Sequence, residues 1–400
     1  MNTKHKHKKI AHVSTVDTSL EALLLNQLMF LLQQGFQVIG ISSSGKTVHR
    51  LESNGIYHIA IPMRRNISPI LDLISLWYLY RIMRREKFAI VHTHTPKAGL
   101  LGRLAAKAAG VPVIISTLHG YYFHENMPLW KQRFFITLER IGAGCSDVIL
   151  SQSAEDVDIT LREKIASSEK IKYLGNGINL DQFNPDRFSV ADIIQRRQSL
   201  GFDDNTLVVG FVGRLAAKRK GFLDFLVAGQ KIKAQIPNVR FLVVGDTDYG
   251  KPDAVDPSTA KEFGIEEACI FLGHRSNDDL PLLYRVMDVL VLPSLFEGVP
   301  RVVMEASAMR VPVVVTDVKG NREAVIHSRN GLLVPYGNVQ ALAEAVIEIL
   351  SNPVKAEKLG LEGRKIALEK FDEYEVFKKV EEEYIRLLTE KGLPIPSPRK

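Results

Sequence analysis

The chain has 400 residues, 46% of them hydrophobic and 24% charged, and a net charge of +7. That length exceeds the size at which a single core stops growing, so two globular domains are expected. Two cysteines exclude a disulfide framework and a paired-cysteine metal site, while the positive balance favours an anionic partner (nucleotide, phosphorylated lipid, acidic membrane or nucleic acid) without choosing among them.

The first ten residues, MNTKHKHKKI, are basic like the start of a secretory signal. The apolar stretch such a signal needs is interrupted by Ser, Thr, Asp and Glu, so His5, His7 and their lysines read as a solvated start and the location as cytoplasmic. No run of eighteen uncharged apolar residues is present. Residues 10–13, 37–42, 90–93, 113–117 and 148–151 read as strands, with helical periodicity between them. Near-continuous apolar strands alternating with helices indicate a parallel sheet covered on both faces. His92 and His94 alternate along one strand and are read as facing opposite sides, one near a ligand and one packed, with no metal-ligand spacing. GISSSGKT (40–47) satisfies the phosphate-loop pattern, but Gly40 falls inside a strand and the following helix is cut short at 53–55, so ATP hydrolysis is rejected. Residues 67–88 are apolar on one side and basic at the end, and most of that segment reads as a core helix. Arg64, Arg65, Lys131 and Arg133, near Trp130 and Phe134, add a basic, aromatic-dotted face suited to an anionic membrane surface.

A polar stretch, NPDRFSVADIIQRRQSLGFDDN, reads as an interdomain connection. This sets a first domain at 1–186 and a second at 205–371, followed by an amphipathic helix at 372–391 and a frayed tail, PIPSPRK. Strands of the second domain are expected at 207–212, 240–244, 269–272, 289–292 and 313–316. Two such α/β units place a cleft at the carboxyl ends of their strands, where open α/β sheets bind ligands.

The chemistry concentrates in PSLFEGVPRVVMEASAM (293–309). A strand ends, a loop follows, and Pro300 suits the first position of a helix, which leaves the N–H groups near Gly298 and Val299 as an anion site. Glu297 and Glu305 would repel a diphosphate, so their targets are neutral sugar hydroxyls. FVGRLAAKRKG supplies the counter-charge as Arg214 and Lys220, with Lys218 a substitute for Lys220. VVGDTDYG (243–250), with Asp246 and Asp248, has the look of a metal-binding acidic motif, but the cationic site makes a metal redundant.

With these motifs on the page, the chain resembles the family-4 glycosyltransferases of the GT-B fold: two Rossmann-like domains facing across a cleft. The resemblance runs through HTHTPKAGLLGRLAA (92–106), LHGYYFH (118–124), GNGINLDQF (175–183), the paired glutamates and a GLLVP turn (331–335), and is similar to bacterial members that build capsule, exopolysaccharide and lipid-linked oligosaccharides. It implies that Arg214, Lys220, Gly298, Val299 and Glu305 bind the nucleotide-sugar donor, and that Glu297 and His119 are catalytic. His94 and Lys97 become acceptor-side candidates for a glycan or polyprenyl-diphosphate-linked acceptor. It also implies retention of anomeric configuration without a metal, cofactor or protein nucleophile, with the leaving phosphate stabilised electrostatically. The resemblance further implies that the helix at 372–391 returns to the first domain; a UDP-linked donor is expected, and peripheral docking on the inner face of a membrane. Nucleic acid is excluded because the basic residues are scattered. Where many members carry a Gly-rich loop after the first strand, this chain has STVDTSLEA (14–22), and Asn179 stands where Asp is common. A nucleotide-sugar epimerase of similar architecture and a non-catalytic nucleotide-sugar binding protein are the alternatives.

Overall fold

A computed structural model describes residues 9–124 and 127–398; the basic start with His5 and His7 lies outside them. The chain folds as two compact units, the first running through Gly175 and resuming at Tyr374, the second from Asn176 to Glu373.

In the first unit the elements run β1 (Lys9–Val16), α1 (Asp17–Gln33), β2 (Gln37–Ser43), α2 (Val48–Ser53), β3 (Tyr57–Ala60), α3 (Pro69–Glu86), β4 (Ile90–Thr93), α4 (Pro96–Ala109), β5 (Val113–Leu118), α5 (Leu129–Gly144), β6 (Val148–Ser151), α6 (Ala154–Arg162) and β7 (Ile171–Tyr173). Its sheet is parallel, in the order β3-β2-β1-β4-β5-β6-β7. The second unit follows with α7 (Val190–Ser199), β8 (Leu207–Val212), α8 (Phe222–Gln235), β9 (Val239–Val244), β10 (Cys269–Phe271), α9 (Leu280–Arg285), β11 (Val289–Leu292), α10 (Arg301–Ala308), β12 (Val313–Thr316), α11 (Asn321–Ala324), β13 (Gly331–Val334), α12 (Val339–Leu350) and α13 (Pro353–Lys370). Its parallel sheet is ordered β10-β9-β8-β11-β12-β13. Both orders reverse direction once, between β1 and β4 and between β8 and β11, and that reversal is where such sheets hold ligands. The last helix, α14 (Glu373–Glu390), returns to the first unit, where Val376, Val380, Tyr384, Leu387 and Leu388 join a core with Ile10, Leu28, Ile90 and Val113.

Several expectations are corrected. The stretch read as a connection starts within the second unit and builds α7, capped by a reciprocal Ser189–Asp192 box; that S-x-x-D signature was the overlooked signal. The unit boundary accordingly falls after Gly175 and not near 186. GLLVP is not a turn but β13, an edge strand paired with β12. The tail is not simply frayed, for Pro396 is buried and the Ser397 carbonyl lies against Gly35, which a Cβ there would strike. The Gly-rich loop is replaced outright: β1 runs straight into α1 at Asp17. The Asp17 carboxylate accepts from the N–H and the hydroxyl of Thr47, each at 2.8 Å, and a Cβ on Gly45 would meet it at 2.3 Å. A carboxylate thus fills the hollow that GISSSGKT would offer a phosphate.

The largest departure is α3. Only Ser75, Leu79, Ile82 and Met83 are buried, while Ile70, Leu73, Trp77 and Tyr78 are exposed. The positional cause is α4, which packs against both α3 and α5 and leaves each with an outward side.

Candidate functional site

At the reversal point of the second sheet, the loops after β8 and β11 are pressed together. Gly221, the N-cap of α8, adopts φ +67°, and a Cβ there would lie 1.9 Å from the carbonyl oxygen of Pro293. Only glycine allows that approach. The Leu295 N–H donates to the Arg219 carbonyl, and the Arg219 guanidinium lies 5.1 Å from the centre of the Phe296 ring. This clamp brings Lys220 Nζ to 2.7 Å from Glu297 Oε1. Lys218 is exposed, whereas both partners of that pair are largely shielded.

The loop after β12 closes the same region. The Glu297 N–H donates to the Lys319 carbonyl, and Gly320, at φ +86°, sits so close to Gly298 that a Cβ would fall 1.9 Å from the Gly298 carbonyl oxygen. The helix starts one residue later than the sequence suggests: Pro300 is the N-cap of α10 and Arg301 its first residue, so the first-turn N–H groups lie just beyond Gly298 and Val299. Glu305, inside α10, is buried. Tyr284 donates its hydroxyl to Glu305 Oε2 at 2.8 Å, and Arg301 Nε lies 3.7 Å from Oε1. Burial raises the Glu305 carboxyl above its usual range, against the pull of Arg301 and Tyr284.

Arg214 follows β8 and faces Asp248 at 3.3 Å. Asp246 accepts the His274 N–H at 2.9 Å. The two acids of the metal-like motif thus have a cation and a backbone donor as partners. Lys220 and Glu297 touch directly; Arg214 and Glu305 have separate partners of their own.

In the first unit the polar residues gather on β1, β4 and β5. His12, His92 and His94 are buried and His119 is partly exposed. The opposite-face reading of His92 and His94 is wrong: residues two apart on a strand share a side, and the rings stack at 4.4 Å. Nor does spacing alone settle metal ligation, because β1 adds His12 and the three rings' nitrogens come within 4.8 Å of one another. His119 Nδ1 lies 3.0 Å from Gln152 Oε1 and its Nε2 3.1 Å from His94 Nδ1. His94 therefore stands behind His119, not beside it. Burial lowers the imidazole of His119 to about 4 and that of His12 to about 3, and holds His92 and His94 well below the ordinary value. Lys97 is tied to Asp72 at 2.6 Å and to the Asn66 carbonyl. A small cavity beside His119 is lined by Thr95, Gly99, Arg103, Tyr121 and Glu139. Its buried Arg103 pairs with Glu139 at 3.0 Å, a feature the sequence reading missed because the partners are far apart in sequence.

Comparison with known proteins gives the same picture. Residues 192–366 match the family described as glycosyl transferases group 1, and residues 20–182 match glycosyltransferase family 4. The chain is 30% identical, over 88% of its length and 91% of the relative's, to the UDP-Gal:alpha-D-GlcNAc-diphosphoundecaprenol alpha-1,3-galactosyltransferase of Escherichia coli. It is also 30% identical to the capsular polysaccharide biosynthesis glycosyltransferase CapM of Staphylococcus aureus, covering 96% of this chain and 99% of that one. Among solved structures, Anabaena HepE in complex with UDP and glucose superposes with a TM-score of 0.80 at 21% identity, over 95% of this chain and 100% of that one. Two Rossmann-like parallel sheets, the clamped Lys220–Glu297 pair and these relatives lead to one assignment: the chain belongs to the family-4 glycosyltransferases of the GT-B fold.

Proposed function

We propose that the chain is a retaining, metal-independent hexosyltransferase that moves a sugar from a UDP-linked donor to a glycan or polyprenyl-diphosphate-linked acceptor in surface polysaccharide synthesis. The observation that carries this reading is the 2.7 Å contact between Lys220 and Glu297 at the reversal point of the second sheet. A lysine held there by a carboxylate is placed to exchange that partner for a donor phosphate, while the freed Glu297 accepts from sugar hydroxyls. Arg214 makes the same exchange with Asp248. Glu305 holds the ribose, and Gly298 and Val299 present backbone N–H groups to the diphosphate. Charge building on the leaving phosphate is then met by two cations and the start of α10, which is the main catalytic contribution. His119 is the first unit's catalytic group, and the first unit binds the acceptor. The choice of donor and acceptor class is supported by the name of the Escherichia coli relative.

Peripheral membrane docking is a second part of the reading. No helix among the described residues is long and apolar enough to cross a membrane. Trp77 and Trp130, both exposed, each carry a cation over the ring, Arg81 at 4.7 Å and Lys131 at 5.3 Å. Apolar side chains interleaved with cations suit the boundary of an anionic bilayer, where a lipid-linked acceptor resides.

The test is Lys220→Ala, assayed with a panel of UDP-sugars. Donor binding or turnover is expected to fall about a hundredfold, and activity is expected to survive a chelator. Full activity in the variant, or loss to chelator restored by manganese, refutes the assigned site.

A further inference from the structure

Four imidazoles of the first unit belong to one hydrogen-bonded chain. Beyond the Gln152–His119–His94 contacts, His94 Nε2 meets His12 Nδ1 at 3.0 Å. His12 Nε2 meets the Tyr384 hydroxyl at 3.2 Å, that hydroxyl meets His92 Nδ1 at 2.7 Å, and His92 Nε2 meets the Thr117 hydroxyl at 2.7 Å. Every ring nitrogen of the four histidines is therefore engaged.

A neutral imidazole has one donor and one acceptor nitrogen, so each link dictates the next. Gln152 presents its carbonyl oxygen, which makes His119 Nδ1 the donor and His119 Nε2 the acceptor. His94 must then donate from Nδ1, and His12 must donate to His94 from its own Nδ1. The Tyr384 hydroxyl donates to His12 and accepts from His92 Nδ1, and Thr117 donates to His92. All six bonds are satisfied in one sense, with no lone pair opposing another. All four rings carry the proton on Nδ1. Turning the Gln152 amide over would reverse the bonds as far as Tyr384 and put the protons of His119, His94 and His12 on Nε2, whereas a hydroxyl that can accept twice leaves His92 undetermined. A mixed set among His119, His94 and His12 fits neither sense.

We propose that this circuit, held between Gln152 and the Tyr384 hydroxyl of the last helix, fixes the tautomer of His119, so that Gln152, His12, His94 and Tyr384 are positioning residues and His119 serves its ligand as a hydrogen-bond donor through Nδ1. This rests on the reading of His119 as a catalytic residue. The neutral state it requires agrees with the burial of His12, His92 and His94 and with the absence, among the described residues, of any carboxylate hydrogen-bonded to the four rings. An incoming ligand oxygen that replaces Gln152 accepts a hydrogen bond from Nδ1–H. A ligand needing a base would find Nε2 already occupied by His94.

The experiment is nitrogen-15 NMR of the full chain with labelled histidine at pH 7, assigned by single substitutions. His12, His92, His94 and His119 are expected to be neutral with one shared tautomer, Nδ1–H. In Tyr384→Phe, which removes the middle hydroxyl, His119 is expected to become a mixture of tautomers although it does not touch that side chain. Gln152→Leu is the second variant should the first fail to fold, and is expected to release the same mixture. Tautomers that differ among the four rings, an imidazolium at any of them, or stoichiometric capture of added zinc by His12, His92 and His94 would overturn the circuit. A His119 spectrum unmoved by both variants would also overturn it. His119→Asn separates the two claims: full transfer by that variant removes the catalytic reading while leaving the tautomer pattern standing, whereas an inactive variant with mixed wild-type tautomers does the reverse.

Discussion

The two sheets reverse their strand order in the same way but line the reversal with opposite chemistry. In the first unit β1 and β4 place neutral rings there, buried and bonded to one another. In the second, the loops after β8 and β11 place charges there: Lys220 on Glu297, Arg214 on Asp248. A charged pair can exchange partners when a diphosphate arrives, so it suits the donor. A chain of neutral groups gains nothing from an anion and instead holds a fixed pattern of donors and acceptors. The same fold thus supplies one end that responds to charge and one that is rigid in hydrogen bonding.

Acid should break that contrast most sharply. His12, His92 and His94 have folded pKa values depressed by burial, so between those values and about 6.5 the unfolded chain binds more protons. Stability of the first unit is therefore complete above about pH 6.5 and falls as pH drops, by about 1.4 kcal/mol per ring for each pH unit. Burial raises the Glu305 carboxyl, which has the opposite sign: acid relieves the cost of burying its charge. Thermal unfolding at pH 7 and pH 5.5 should show the transition of the first unit moving down far more than that of the second. Equal shifts would refute the assignment of neutral rings to one side.

Gly320→Ala tests the second unit. At φ +86° a Cβ is strained and meets the Gly298 carbonyl, so a loss of about 2–3 kcal/mol and impaired donor binding are expected. Unaltered UDP binding by calorimetry would show that the loops after β11 and β12 need not fit so closely. The smallest effect concerns the outer face of the first unit. Trp77→Ala and Trp130→Ala should each weaken binding to anionic vesicles by about tenfold at low salt, with solution stability little changed because both rings are already exposed. Vesicle binding that survives both changes would end the docking proposal.

Much of this was legible in the residues. Central strands such as 207–212 and 289–292 are continuous apolar runs whose burial on both faces leaves one reading, and they matched the structure. β3 and β7 were missed because an edge strand of three or four residues needs little apolar sequence. Lys220 and Glu297 could be linked through their strand–loop–helix settings, but the clamp at Gly221 joins residues more than seventy positions apart and has no local signature. The histidine circuit was hidden for two reasons. His92 and His94 share a side only under the period of two that a strand imposes, and two further members, His12 and Tyr384, lie far apart in the sequence.

The return of α14 also governs the order in which the two units are completed. Residues 9–175 leave the ribosome before the second unit, yet the core around Ile10 and Val113 lacks Val380, Tyr384 and Leu388 until α14 emerges. Domains usually fold as they are synthesised, N-terminal first. Here the unit that is translated earlier is finished last, so a chain stopped anywhere in the second unit leaves Ile10, Leu28, Ile90 and Val113 without their α14 partners.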